Sequence, residues 1–165
     1  MKRLDHKYLK IQTKKVLIKY GANDFSAESV SKGLIETSLR GVDSHGIRLL
    51  PHYLNALKNG RVNGNPKFNI IRKFPAFVGL KADNAFGHAA GFKSIEIGIE
   101  LANEYGIGAI SVLNSSHPGA MASFSLEAAR QGYCSFAFTH ADSLLQSYGG
   151  KKSFFGTNPI CFAAP

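Results

Sequence analysis

Residues 109–113 and 133–139 are two short apolar runs, and the stretch between them, 119–131, is amphipathic at helical spacing. A strand, a helix and a second strand in that order predict two parallel strands of one sheet, because parallel neighbours need a crossover connection. The helix then covers the sheet and the turn of the chain is right-handed. Such a unit excludes all-helical bundles and hairpin-only sheets and leaves a mixed α/β fold.

Upstream, residues 6–20 read as a helix with Leu9, Val16, Leu17 and Tyr20 on its apolar side and Gly21 as its stop. Ser26 is expected to cap a second helix reaching about Arg40, in which Val30, Leu34, Ile35 and Leu39 recur. Asp43-Ser44-His45-Gly46 breaks that pattern; Leu50, Tyr53, Leu54 and Leu57 resume it, with Pro51 in a first turn and Gly60 at the end. Residues 67–82, divided by Pro75, read as a hairpin, and 87–105 as a helix. The expected organisation is an N-terminal helical segment over 1–62 carrying the Ser-His-Gly bend, then the first part of an α/β domain over 63–165. The last apolar run, 154–165, has no polar exit and reads as a truncated element.

Hydrophobic residues make up 44% and charged residues 19% of the 165-residue chain, enough for one sizeable core and incompatible with a disordered polymer. The net charge of +9 raises a nucleic-acid-binding module as an alternative, but it is concentrated: residues 1–20 hold seven Lys and Arg against Asp5 alone. Those lysines fit the wet side of an amphipathic helix, and no helix-turn-helix, RRM or OB signature accompanies them. No nucleic acid partner is therefore expected. No apolar run nears the roughly 18 residues that span a bilayer, and no signal-peptide core follows Met1, so the expected setting is cytoplasmic and membrane-free. Cys134 and Cys161 lie in apolar runs and are expected to be buried, inert thiols.

Ligands of open α/β sheets gather beyond the carboxyl ends of parallel strands. Asn114-Ser115-Ser116-His117-Pro118-Gly119 follows the first strand of the crossover and Thr139-His140-Ala141-Asp142-Ser143 the second, so both loops are expected at one rim. His117 is a candidate acid or base, since imidazole is poised for proton transfer near neutrality; the alternative is that Asn114, Ser115 or Ser116 caps the helix and His117 only packs nearby. Ser44, His45 and Arg48 place a hydroxyl, an imidazole and a guanidinium within five residues, and the guanidinium could clamp a carboxylate through paired N–H bonds. The plainer alternative there is a helix cap and a solvated arginine. Gly106-Ile107-Gly108 precedes a strand and lacks the third glycine of a dinucleotide fingerprint, Gly149-Gly150-Lys151 is no Walker loop, and the six histidines occur singly, so no metal site is expected.

Residues 40–53, Asp83-Asn84-Ala85-Phe86-Gly87-His88, Asn114-Ser115-Ser116-His117-Pro118-Gly119-Ala120, Tyr148-Gly149-Gly150 and Gly156-Thr157-Asn158-Pro159-Ile160 together resemble the type-2 malate/L-lactate dehydrogenase family. The motifs occur in order and cover nearly the whole chain, about the first half of a typical member. The family also includes ureidoglycolate and sulfolactate dehydrogenases and binds its cofactor on a non-Rossmann α/β fold, in keeping with the missing glycine fingerprint.

The resemblance implies hydride transfer between NAD or NADP and a small 2-hydroxy acid, yielding the 2-oxo acid, by a chain that works as a homodimer at full length. It implies His117 as the acid/base, Ser44, His45 and Arg48 as the group orienting substrate, and His45, Ala141, Asp142, Thr157, Asn158 and Pro159 on the cofactor side. The division of labour between His45 and His117 stays open at this level, as does NAD against NADP. Pro118 and the His140-Ala141-Asp142 loop depart from the family pattern and leave the substrate open. A non-catalytic fragment that only pairs with another chain is the remaining alternative.

Overall fold

The structure is a computed structural model that describes residues 3–165. It is a mixed α/β fold of five helices and seven strands among those residues. Helix α1 (His6–Lys19) opens on Asp5, whose side chain accepts from the Tyr8 amide at 2.7 Å. Helix α2 (Asp24–Leu39) is capped by Asn23, which accepts from the amide of Ser26 at 2.8 Å. The cap expected at Ser26 is thus corrected by three residues: the Asn23 amide oxygen reaches the first-turn donor, and Ser26 is carried inward and buried. Two 3-10 turns, Asp43–His45 and Ile47–Leu49, lead into α3 (Leu50–Lys58).

Strands β1 (Asn69–Phe74) and β2 (Phe77–Ala85) form the expected antiparallel hairpin, and α4 (Gly87–Tyr105) carries the chain to β3 (Ala109–Ser115), which pairs with β2 in parallel. The β-α-β crossover of the fold is therefore β2-α4-β3. The crossover predicted over 109–139 is not formed. After α5 (Ala122–Arg130), β4 (Ser135–Phe138) leaves the first sheet and pairs antiparallel with β7 (Ile160–Ala163), while β5 (Leu145–Gln146) and β6 (Ser153–Phe155) make a separate ribbon. Periodicity identifies the elements, but a four-residue apolar strand carries no mark of which edge it joins.

The core forms where α1, α2 and α3 meet the start of α4: Leu17, Val30, Leu34, Tyr53, Phe86 and Ala89 pack together. Val78 and Leu80 of β2 pack on Ile97 and Leu101 of α4 beneath the sheet. A third cluster, Phe92, Met121 and Phe124, is covered by Ala137 and Cys161 from β4 and β7. Alternation along 133–138 sends Ala137 inward and Cys134 outward beside Phe136 and Phe138, so Cys134 is exposed, contrary to the buried thiol expected from its apolar run; Cys161 is half-buried, and both thiols are free.

Candidate active site

Two loops meet at the N-terminus of α4. The first is the bend after α2, which is pinned to that helix: Ser38 Oγ accepts from the Ile47 amide at 2.9 Å, and a Cβ at Gly46 would run into the Ser38 side chain. Ser44 and His45 stand on this bend with Ser44 Oγ 3.0 Å from His45 Nδ1. The second loop follows β3. Asn114, in the left-handed region at φ 55°, begins the turn, and Ser116 Oγ accepts from the Gly87 amide at 3.1 Å, at the first turn of α4. Ser116 thus caps the helix behind it, not the α5 helix ahead. A Cβ at Gly87 would meet the backbone of Ser116, His117 and Pro118, so the loop lies directly on the helix end.

The result brings His117 to His45, with ring centroids 5.7 Å apart and planes tilted by 32°. Tyr53 Oη lies 2.8 Å from His117 Nδ1. Behind the phenol sits His88, fully buried, its ring 5.2 Å from that of Tyr53 at 77° and against Gly33 and Gly119. Both ring nitrogens of His88 are without a hydrogen-bond partner among the described residues. Gly119, at φ 75°, has the left-handed backbone that a side chain would strain.

The electrostatics follow from burial and from a wall of like-signed groups. His117 is held below its ordinary pKa by desolvation first and then by His45, His52 and Arg61, so it is neutral near pH 7. Desolvation, with a smaller contribution from His117, pushes His88 down to about 3. Burial pushes the Tyr53 phenol up, and it stays protonated. A neutral imidazole can accept a proton, and the Arg61 guanidinium that bears on it suits an anionic ligand. Arg48 is exposed on the same bend and makes no ion pair among the described residues, leaving its guanidinium available to a carboxylate.

The remaining predicted residues gather at the open end of the β4–β7 ribbon. The Ala141 amide donates to Asn158 Oδ1 at 3.1 Å, the Thr139 amide donates to the Pro159 carbonyl at 3.3 Å, and a Cβ at Gly156 would run into the Ala141 carbonyl. Asn158, at φ 41°, uses its side-chain oxygen to accept from Ala141, and its NH₂ makes no hydrogen bond among the described residues; Thr157 lies beside it and Asp142 in the facing loop. The turn is solvent-exposed and presents side-chain amide, hydroxyl and carboxylate groups. No hydrogen bond or ring contact among the described residues joins this turn to the His45–His117 pair. The loops after β3 and β4 are not the ends of parallel neighbours in one sheet, because β4 pairs with β7 and not with β3. No group of three or more His, Cys, Asp and Glu among the described residues is arranged to hold a metal ion.

Sequence reasoning missed Tyr53 and His88 as site residues. Tyr53 was visible as one apolar mark in a helical pattern and as the end of the 40–53 motif, and neither gave it a role in the site. Nothing in the sequence signals that His88 is buried without a partner.

The malate/L-lactate dehydrogenase family profile matches residues 4–165. Malate dehydrogenase of Pyrococcus abyssi (strain GE5 / Orsay) is 37% identical over 151 residues, 92% of this chain and 42% of that protein. L-sulfolactate dehydrogenase of Methanocaldococcus jannaschii is 32% identical over 148 residues, 90% of this chain and 43% of that protein. Among solved structures, malate dehydrogenase from Pyrococcus horikoshii OT3 superposes with a TM-score of 0.95 at 34% identity, covering 99% of this chain and 47% of that one. The chain thus spans a little under half the length of these relatives.

Proposed function

Since the chain belongs to the malate/L-lactate dehydrogenase family, we propose that it carries the proton-transfer and substrate-orienting half of a 2-hydroxy-acid oxidoreductase that uses NAD or NADP. The observation that carries this reading is the His45–His117 ring pair, 5.7 Å apart on loops from distant parts of the chain. Arg48 holds the substrate carboxylate through paired N–H bonds, and Ser44 with His45 orients the C2 hydroxyl. His117, neutral near pH 7 because burial first and then His45, His52 and Arg61 disfavour the charged ring, takes the hydroxyl proton as the carbonyl forms; in reverse, the imidazolium returns it. His45, Ala141, Asp142, Thr157, Asn158 and Pro159 lie on the cofactor side. The nicotinamide, when bound, supplies the hydride acceptor. The family resemblance implies a homodimer at full length, and a cytoplasmic setting is proposed from the sequence; no helix among the described residues is long and apolar enough to cross a membrane.

A nucleic-acid-binding role gains nothing from the structure. Lysines of α1 are drawn onto α2 carboxylates, with Lys14 2.9 Å from Asp24 and Lys10 paired with Glu28.

The test is His117→Ala in the complete natural reading frame, with 2-oxo acids screened at the reduced-nicotinamide absorbance. Turnover is expected to fall about 10²- to 10⁴-fold, the usual worth of a positioned acid/base, with nicotinamide binding kept. Undiminished turnover removes His117 from the mechanism.

A further inference from the structure

Helix α3 ends at Lys58, and Gly60, at φ 68°, reverses the chain in the left-handed region so that the Arg61 amide returns to the Ala56 carbonyl at 2.9 Å. Val62 is buried and the Asn63 amide donates to the Asn84 carbonyl at 2.9 Å, so the backbone that follows Arg61 is tied down as well. The Arg61 side chain runs back along α3 to His52, with Nη2 3.2 Å from Nε2. A guanidinium has no acceptor, so Arg61 donates and the His52 nitrogen accepts. The His52 ring stands edge-on to Tyr53 at 5.5 Å, and Tyr53 Oη lies 2.8 Å from His117 Nδ1. Arg61 is thereby tethered through His52 and Tyr53 to the proposed proton carrier, and its charge bears on that ring.

Among the described residues neither Arg61 nor Arg48 is paired with a carboxylate. The exposed Arg61 guanidinium makes one side-chain hydrogen bond there, to His52, and its other N–H donors are unused. Asp83 is no counter-charge for it, being taken by the Asn63 side chain and the Lys67 amide. A substrate with a single carboxylate, held by Arg48, leaves this second guanidinium uncompensated. We propose that Arg61, steadied by His52, is a specificity-determining residue that binds a second carboxylate of the substrate, so that the site favours 2-hydroxydicarboxylic over 2-hydroxymonocarboxylic acids of equal length. This rests on the reading of the His45–His117 pair as a 2-hydroxy-acid site. The second carboxylate takes no part in the proton or hydride transfer. Its bond to Arg61 is the same in substrate and transition state, so its loss appears in KM and not in kcat.

Binding to the 165-residue chain is read from histidine ring resonances in NMR titrations with succinate and with butyrate, four-carbon acids that differ by the second carboxylate. Succinate is expected to bind about tenfold more tightly, the lower end for a hydrogen bond to a charged group. Arg61→Gln is expected to bring the two affinities together, and Arg61→Lys, which keeps the charge but not the paired N–H bonds, to fall between. In the complete natural reading frame, kcat/KM for 2-hydroxysuccinate relative to 2-hydroxybutyrate should drop about tenfold in Arg61→Gln, through KM. Equal affinities in the wild-type chain, or a ratio that Arg61→Gln leaves unmoved in either measurement, overturns the proposal. Should the complete protein oxidise no 2-hydroxy acid, the oxidoreductase reading fails, and the succinate-to-butyrate ratio still decides the role of Arg61.

Discussion

Burial without a hydrogen-bond partner keeps the His88 ring uncharged down to about pH 3, against an ordinary value of 6.5. Between those values the unfolded chain binds the proton and the folded chain does not, so acidification favours unfolding. The contribution of a neutral His88 is fully present above pH 6.5 and is lost by up to about 1.4 kcal/mol per pH unit on the way down to pH 3. His117, lowered in the same direction, adds to the slope with the same sign. The urea midpoint is accordingly expected to drop from pH 7 to pH 4, and His88→Leu is expected to flatten that dependence; an equally steep fall in the variant would show that other groups govern it. At this scale the sequence revealed the polar bends, hence Ser44, His45, Arg48 and His117. It hid Tyr53, whose ring belongs to the core while its hydroxyl belongs to the site. It also hid His88, whose burial exists only once α2 brings Gly33 and the β3 loop brings Gly119 against it.

Helix α4 does two jobs for the site. It is the crossover that makes β2 and β3 parallel, and its first turn is the seat on which the His117 loop rests. The atoms that a Cβ at Gly87 would meet are backbone atoms of Ser116, His117 and Pro118, which cannot rotate away as a side chain can. Gly87→Ala is therefore expected to displace the loop at a cost of about 1–3 kcal/mol, the range for forced overpacking, read as a lower urea midpoint. Ser116→Ala, which removes a hydrogen bond but crowds nothing, should cost only about 1 kcal/mol. If the two variants behave alike, the contact at Gly87 is not what holds the loop. The helices and the hairpin were legible because amphipathic spacing, capping and Pro75 are local signals. The partner of β4 was not, since the pattern of 109–139 satisfies a crossover as well as 77–115 does, and long-range burial of Ala137 and Cys161 on Met121 and Phe124 decides between them.

The surface of the whole chain is larger than its size requires. A compact monomer of this length exposes about 8,000 Å², and this one exposes 10153 Å². Part of the excess is apolar and contiguous. The β4–β7 ribbon buries one face on α5 and turns the other outward, where Phe136, Phe138, Ile160 and Phe162 are each more than half exposed. Phe136 stacks on Phe138 at 6.0 Å and lies tilted against Phe162 at 4.7 Å, so these rings already form a cluster on the open side. Patches of this kind are uncommon on monomeric surfaces and bind apolar probes or other surfaces. The net charge of +9 opposes association at low salt by self-repulsion, and added salt screens that repulsion without weakening the apolar attraction. The 165-residue chain is therefore expected to bind a hydrophobic dye in its folded state and to sediment as larger species as salt rises. Phe136→Ser with Phe162→Ser should reduce both effects while leaving the urea midpoint within about 0.5 kcal/mol of wild type, as for exposed substitutions. Association that weakened with salt would instead trace to charge, and the lysine-rich α1 would be the surface responsible.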